Sequence, residues 1–343
     1  HRRLRPEKMT GPLPRGDLDA LASLPVWENL RGRRIFFTGA SGFFGSWLLE
    51  SYLAAAQKWD LGGAAVVLTR DSVRFARSLP HLAGDPRVSC IEGDARNFRF
   101  PEGPIDLIIH SLVPEAGPGL AELEAFFSTA TSHLLRLARE RGCERFLLCS
   151  TGAVYQPQDP PAPFTESSER MAAGSSPSYG SIRRDVEDRC LEAPIPGTIM
   201  KIARGFAFFG PRLPLDGAFA AGNFLRDALE CQPIVVRGTG RDVRSYLYAA
   251  DMAEWLWTFL LAKPATQICN IGSPEPMPIG SLASMIGSLS GQSVQTLDQL
   301  VPGAAPGYYV PCTRRAREEF GLSVRTPLRE GLGRTLQWLR TQS

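Results

Sequence analysis

The stretch Thr38-Gly39-Ala40-Ser41-Gly42-Phe43-Phe44-Gly45 holds the first residues of this chain whose types and spacing could do chemistry. Three glycines recur three apart where an apolar, β-prone run (residues 35–38) gives way to a helix-like run (residues 47–56). Glycine at such a place lets the backbone turn tightly off a strand and lets an anion approach the main chain. The N–H groups of the following helix's first turn then face that anion. A strand before and a helix after are the context that gives the motif its meaning. The expected ligand is the pyrophosphate of a dinucleotide, against Gly39, Ser41, Gly42, Phe43, Phe44 and Gly45.

Further residues bear on that ligand. A dinucleotide fold that uses NAD places a carboxylate at the end of the second strand, about twenty to thirty residues past the glycines, to hold the ribose 2′-hydroxyl. Here the apolar run 65–68 ends in Thr69-Arg70, and a guanidinium suits a 2′-phosphate bidentately. NADP is therefore expected ahead of NAD; the alternative puts Asp71 in the acidic position one place late. After a third strand (88–91), Asp94, with Ala95 beside it, offers a carboxylate to the adenine amino group. His110, followed by Ser111, closes a fourth strand (105–110) and reads equally as a structural cap or a cofactor contact.

The elements that must position these residues alternate between strand and helix patterns. Trp47, Leu48, Tyr52 and Leu53 recur at helical spacing. Leu120, Leu123, Phe127, Leu134 and Leu137 form a second apolar stripe ended by Gly142, with His133 beside it as packing. A fifth strand covers residues 145–149. The alternation predicts an α/β, Rossmann-type, doubly wound parallel sheet with ligands at the carboxyl ends of its strands.

Composition bounds the rest. The 343 residues are 43% hydrophobic and 21% charged, as in ordinary soluble globular proteins, and a net charge of +3 is too small to argue for nucleic acid. No run approaches ~18 consecutive apolar residues, so no membrane span is expected. The seven cysteines are scattered with no C-x-x-C, which predicts reduced, buried thiols in a cytoplasmic protein. The four histidines lack metal-ligand spacing, and no metal is expected. His1 cannot initiate translation, so the native start is expected at Met9, and the basic tail before it has no apolar core of a signal peptide.

Three later stretches complete a pattern: Ser150-Thr151-Gly152-Ala153-Val154-Tyr155, then Ser178-Tyr179-Gly180-Ser181-Ile182-Arg183 with Glu187, then Arg204-Gly205-Phe206-Ala207-Phe208-Phe209-Gly210-Pro211-Arg212. With the glycine turn, residues 238–248 followed by Asp251, Asn270-Ile271-Gly272, and 328–332 with Trp338, the chain resembles the extended short-chain dehydrogenase/reductase family. That family comprises nucleotide-sugar epimerases and dehydratases. The resemblance implies an N-terminal extension (1–30), a dinucleotide-binding domain (31–205 with 247–272) and a smaller, partly interleaved C-terminal α/β nucleotide-sugar domain (206–246 with 273–343). It also implies a homodimer paired through the helices near 120–141 and 179–191.

It implies a reaction as well: hydride transfer between C4 of a nucleotide-diphosphate sugar and the nicotinamide. Tyr179 would be the general base or acid, Thr151 or Ser150 a hydroxyl on the same oxygen, and the residue one helical turn after Tyr179 the cation that tunes it. The family has lysine there and this chain has Arg183, which keeps the charge but delivers it as a planar fork. Dehydratases carry Asp-Glu, and decarboxylases Ser-Glu, where this chain has Gly152-Ala153, so elimination and decarboxylation are not expected. Ala207 replaces the asparagine of the family's Arg-x-x-Asn, leaving Asn223, Arg212 and Arg244 for the substrate. A 4-keto-sugar reductase using NADPH is the first expectation. A 4-epimerase with tightly bound cofactor is the second, and a catalytically silent nucleotide-sugar or NADP binder is the alternative of another class.

Overall fold

The computed structural model describes residues 9–113, 119–172, 178–192, 194–217, 219–263, 266–297 and 306–342. Strands β1 (Arg34–Thr38), β2 (Ala64–Thr69), β3 (Val88–Glu92), β4 (Leu107–His110), β5 (Arg145–Thr151) and β6 (Ile199–Gly205) form one parallel sheet. A strand from much later in the chain, Ile268–Ile271, completes it at the far edge. The spatial order steps outward from β1 through β2 to β3 on one side, and through β4, β5 and β6 to that late strand on the other. The order reverses between β1 and β4, and their carboxyl ends are where a doubly wound sheet opens a crevice.

Alternation along each strand feeds two cores. Ile35, Phe37, Val67, Ile109 and Leu147 face one side, while Phe36, Val66, Ile108, Phe146 and Leu148 face the other. Helices α1 (Arg15–Leu21) and α2 (Phe43–Trp59) cover the first face. Two short helices, α3 (Ser72–Ser78) and α4 (Pro80–Ala83), bridge β2 to β3, and α5 (Leu120–Arg141) and α6 (Tyr179–Glu192) pack together over the second face. Gly142 caps α5 in the left-handed conformation, and His133 sits between Phe98 and Phe100 with its Nε2 on the Phe98 carbonyl oxygen.

The rest of the chain adds β7 (Ala207–Phe209), α7 (Ala220–Leu229), β8 (Ile234–Val236), β9 (Val243–Arg244), β10 (Tyr246–Tyr248) and α8 (Ala249–Leu261). The late strand is β11, followed by β12 (Met277–Pro278), α9 (Ile279–Ser290), β13 (Val294–Thr296), β14 (Tyr308–Tyr309), α10 (Arg314–Phe320) and α11 (Leu328–Thr341). Here β9 pairs with both β12 and β14.

Within residues 9–30, Leu13, Leu21, Trp27 and Leu30 are buried. Trp27 packs edge-on against Trp257, and the buried Asp17 binds the Tyr248 hydroxyl and Arg334, each at 2.6 Å. The segment therefore belongs to the core. The cysteines are free as expected, but Cys90 and Cys231 are exposed, because one lies on an edge strand and the other in a turn after α7. No helix among the described residues is long and apolar enough to cross a membrane, and no described cluster of side chains is placed to hold a metal.

Candidate active site

The glycine turn forms as its composition requires. Gly39 has φ +73, and a Cβ there would lie 2.7 Å from the carbonyl oxygen of Ser111. At Gly45 a Cβ would come within 2.2 Å of the Gly39 carbonyl oxygen, so the first turn of α2 presses directly on the loop. No side chain among the described residues caps the start of α2, where Gly42 is the N-cap. The orphan N–H groups of its first turn remain for an external acceptor. This cradle, which side chains would fill, fits the pyrophosphate of a dinucleotide.

Ser111 Oγ donates to the Thr38 carbonyl oxygen at 2.9 Å, tying the ends of β1 and β4. His110 does the same from inside the sheet, with its Nδ1 2.8 Å from Thr38 Oγ1. Burial, reinforced by the nearby Arg183 charge, pushes this imidazole down to about 3, so it is neutral. Of its two expected readings, the structural cap is the one the burial favours. Asp94 is held bidentately by Arg96 at 2.8 and 2.7 Å, with the charge of Arg70 in electrostatic range, while Ala95 is buried next to it.

The residues expected at the reacting end lie where β5, β6, α6 and β14 meet. Thr151, the last residue of β5, accepts from the Ala153 N–H at 3.1 Å and lies 3.3 Å from the Tyr309 hydroxyl. Tyr179 opens α6 and is 38% exposed, whereas Tyr155 and Phe206 are buried. Its placement follows from Gly180, where a Cβ would lie 2.1 Å from the Ala153 carbonyl oxygen, so α6 seats tightly on the turn after β5.

Neighbours on a strand point to opposite faces, and Ser150 shows the consequence. Its Oγ donates to Glu187 at 2.5 Å, away from Thr151. Glu187 in turn receives the Arg204 guanidinium, which also donates to the Tyr155 hydroxyl at 2.9 Å, and Tyr155 donates to Asn270 at 2.7 Å. Burial pushes the Tyr155 phenol up to about 12, against the pull of Arg204. Ser150 is thus committed to a buried polar network, and of the two candidate hydroxyls Thr151 is the available one.

Arg183 is 2% exposed, lies 4.5 Å over the Phe127 ring and donates to the Cys149 carbonyl oxygen at 2.5 Å. Its Nε and Nη1 have no partner among the described residues, nor does His110 Nε2. The unpaired, buried guanidinium donors of Arg183 fit a polar group of a bound cofactor.

Of the residues expected to meet the substrate, Arg244 stands 5.9 Å over the Tyr309 ring, and its Nη1 donates to the Val243 carbonyl oxygen at 3.0 Å. Asn223 holds the loop before α7 through the Gly217 carbonyl oxygen. Arg212 goes elsewhere and corrects the expectation of a substrate contact. At φ +68 its side chain turns back to Glu50 at 2.6 Å and to the Gly11 carbonyl oxygen at 2.8 Å, only 7% exposed. Tyr309 and the pairing of Glu187 with Arg204 escape sequence reasoning; β14 is two residues long and gives no periodic signal.

Fold and site together define a dinucleotide-dependent oxidoreductase fold of the short-chain dehydrogenase/reductase type. The family model for the NAD dependent epimerase/dehydratase family matches residues 35–272, and the chain belongs to that family as an extended-type enzyme. It is 27% identical to UDP-glucuronic acid decarboxylase 1 of Arabidopsis thaliana over 93% of this chain and 72% of that protein. UDP-glucuronic acid decarboxylase 1 of Xenopus tropicalis is 26% identical over 90% of this chain and 73% of its own length. Among solved structures, UDP-glucuronic acid 4-epimerase from Bacillus cereus superposes with a TM-score of 0.75 at 22% identity, covering 90% of this chain and 100% of that one. UDP-glucose 4-epimerase from Thermotoga maritima gives a TM-score of 0.73 at 20% identity, covering 90% and 99%.

Proposed function

We propose that this protein performs oxidoreduction at C4 of a nucleotide-diphosphate sugar, run as a 4-epimerisation with its dinucleotide retained. One observation carries the choice among the family's reactions. Gly152 carries no acid or base, and a Cβ there would lie 2.7 Å from the Phe206 ring, while Ala153 next to it has no proton to give. Decarboxylation, the activity by which the curated relatives are named, and water elimination both lack their side chain in this chain. What is left is proton exchange at one sugar oxygen, between Tyr179 and Thr151.

A bound nicotinamide supplies the acceptance and return of hydride. Tyr179 removes the proton from the C4 hydroxyl and restores it after the ring has turned. Thr151 hydrogen-bonds the same oxygen, Arg183 is the cation one helical turn along α6, and Arg244 with Asn223 holds the diphosphate end. The same reading takes α5 and α6 as the dimer-forming pair, and sedimentation as a monomer at micromolar concentration would reject that part.

A second reading, a 4-keto-sugar reductase using NADPH, is favoured by Arg70 at the end of β2. One assay separates them. Interconversion of UDP-glucuronic acid or UDP-glucose with its C4 epimer, without net change in cofactor, supports the epimerase. NADPH consumption stoichiometric with a keto-sugar supports the reductase. Ligand binding with no turnover of either kind leaves the silent binder.

A further inference from the structure

Tyr309 lies on β14, outside the dinucleotide sheet, yet its phenol reaches the carboxyl ends of β5 and β6. It is 3.3 Å from Thr151 Oγ1 and also 3.3 Å from the carbonyl oxygen of Gly205. The ring is clamped between Phe206, with centroids 4.6 Å apart, and the Arg244 guanidinium. Burial holds the phenol above its ordinary pKa, so it carries one proton and shares it between two acceptors at equal distance. Both contacts are longer than an optimal O–H···O bond. Catalytic hydrogen bonds commonly tighten only when substrate is bound.

A threonine hydroxyl has two lone pairs and one proton. The Ala153 N–H fills one lone pair of Thr151. If Tyr309 donates to Thr151 it fills the other, and the Thr151 proton is left for an incoming acceptor. If Tyr309 donates instead to Gly205, the Thr151 proton can fall back onto Tyr309, and Thr151 loses its grip on the sugar oxygen.

We propose that Tyr309 is a positioning residue that turns the Thr151 proton onto the C4 oxygen of the sugar, using the Gly205 carbonyl as the resting acceptor for its own proton. The inference rests on C4 oxidoreduction as the activity. No bond to carbon forms or breaks in this step; one hydroxyl proton changes its direction. Because β14 pairs with β9, the Tyr309 ring also lies under Arg244. Occupation of the diphosphate end and orientation of the catalytic hydroxyl therefore meet in one side chain.

The test is Tyr309→Phe, which keeps the ring and its packing. The expected result is a roughly tenfold loss of kcat, the size of one hydrogen bond, with KM unchanged. Calorimetric affinity for UDP-glucuronic acid and the melting temperature should also stay at wild-type values. In a Thr151→Ala background the same change should cost nothing further, since Tyr309 then has no hydroxyl to orient. Full kcat in Tyr309→Phe, or an equal loss in the Thr151→Ala background, overturns the inference alone. A wild-type protein that turns over no nucleotide-diphosphate sugar overturns the reading of the site and this inference with it.

Discussion

Replacing Glu187 by glutamine should destabilise the protein by an amount the structure lets us work out. Glu187 is 0% and Arg204 1% exposed, so water reaches neither. The guanidinium donates to the carboxylate at 3.1, 3.1 and 2.6 Å, and Ser150 adds a fourth bond at 2.5 Å. Glutamine keeps one acceptor oxygen and turns an amide N–H₂ toward Arg204 in place of the other. The buried cation is then uncompensated, at a cost of about 3–5 kcal/mol. Unfolding entropy of about 2.1 cal/mol/K per residue gives roughly 0.7 kcal/mol/K for a chain of 343 residues. The melting temperature should therefore fall by roughly 4–7 °C, read by calorimetry or circular dichroism. A companion double variant, Glu187→Leu with Arg204→Met, removes both charges and should regain most of that loss. A fall of less than about 1 °C in Glu187→Gln would mean that solvent screens Arg204, and the reasoning from a desolvated pair would be refuted.

Other predictions concern the crevice. Between about pH 6.5 and the His110 value of about 3 the unfolded chain binds a proton there that the native state does not. Stability should therefore be full above that window and fall on acidification, by up to about 1.4 kcal/mol per pH unit. In His110→Asn the urea midpoint should lose that part of its pH slope, and an unchanged slope would show that His110 does not titrate this way. Gly45→Ala forces a Cβ to 2.2 Å from a backbone oxygen, so dinucleotide affinity by fluorescence titration should fall at least about tenfold, whereas Gly42→Ala, at 3.2 Å, should be the milder change. Arg183→Met should leave the melting temperature unchanged or raised while turnover falls on the order of 10²-fold. A melting loss as large as that of Glu187→Gln would assign Arg183 to structure instead.

Elements with local signatures are legible in the sequence. The glycine turn needs only a strand, three small residues and a helix, all contiguous, and it forms at Gly39 and Gly45 as those residue types require. Tyr179 and Arg183 stand one helical turn apart on α6, again a local relation. Contacts between distant segments are not legible. Arg212 has the composition of a phosphate ligand, but Glu50, more than 150 positions earlier, claims it. Ser150 and Thr151 are equivalent as residue types, and only strand alternation with Glu187 behind one of them separates the two. Tyr309 comes to the site through a two-residue strand paired with β9, a connection with no trace in periodicity.

The two buried arginines show how differently a desolvated charge can be held. Arg204 has a carboxylate, and its charge is neutralised within the fold. Arg183 has a carbonyl and an aromatic face but no carboxylate in ion-pair range among the described residues. A fold selected for stability alone would not keep a buried cation in that state, since an apolar side chain of the same length costs less. Rule-breaking of this kind concentrates at functional sites. The neighbouring His110 is neutral, so it adds no competing positive charge, and its own depressed pKa registers the Arg183 field. Arg183 stands one helical turn from Tyr179 on α6. The Phe127 ring and the Cys149 carbonyl give the wide, planar head of this arginine a fixed seat.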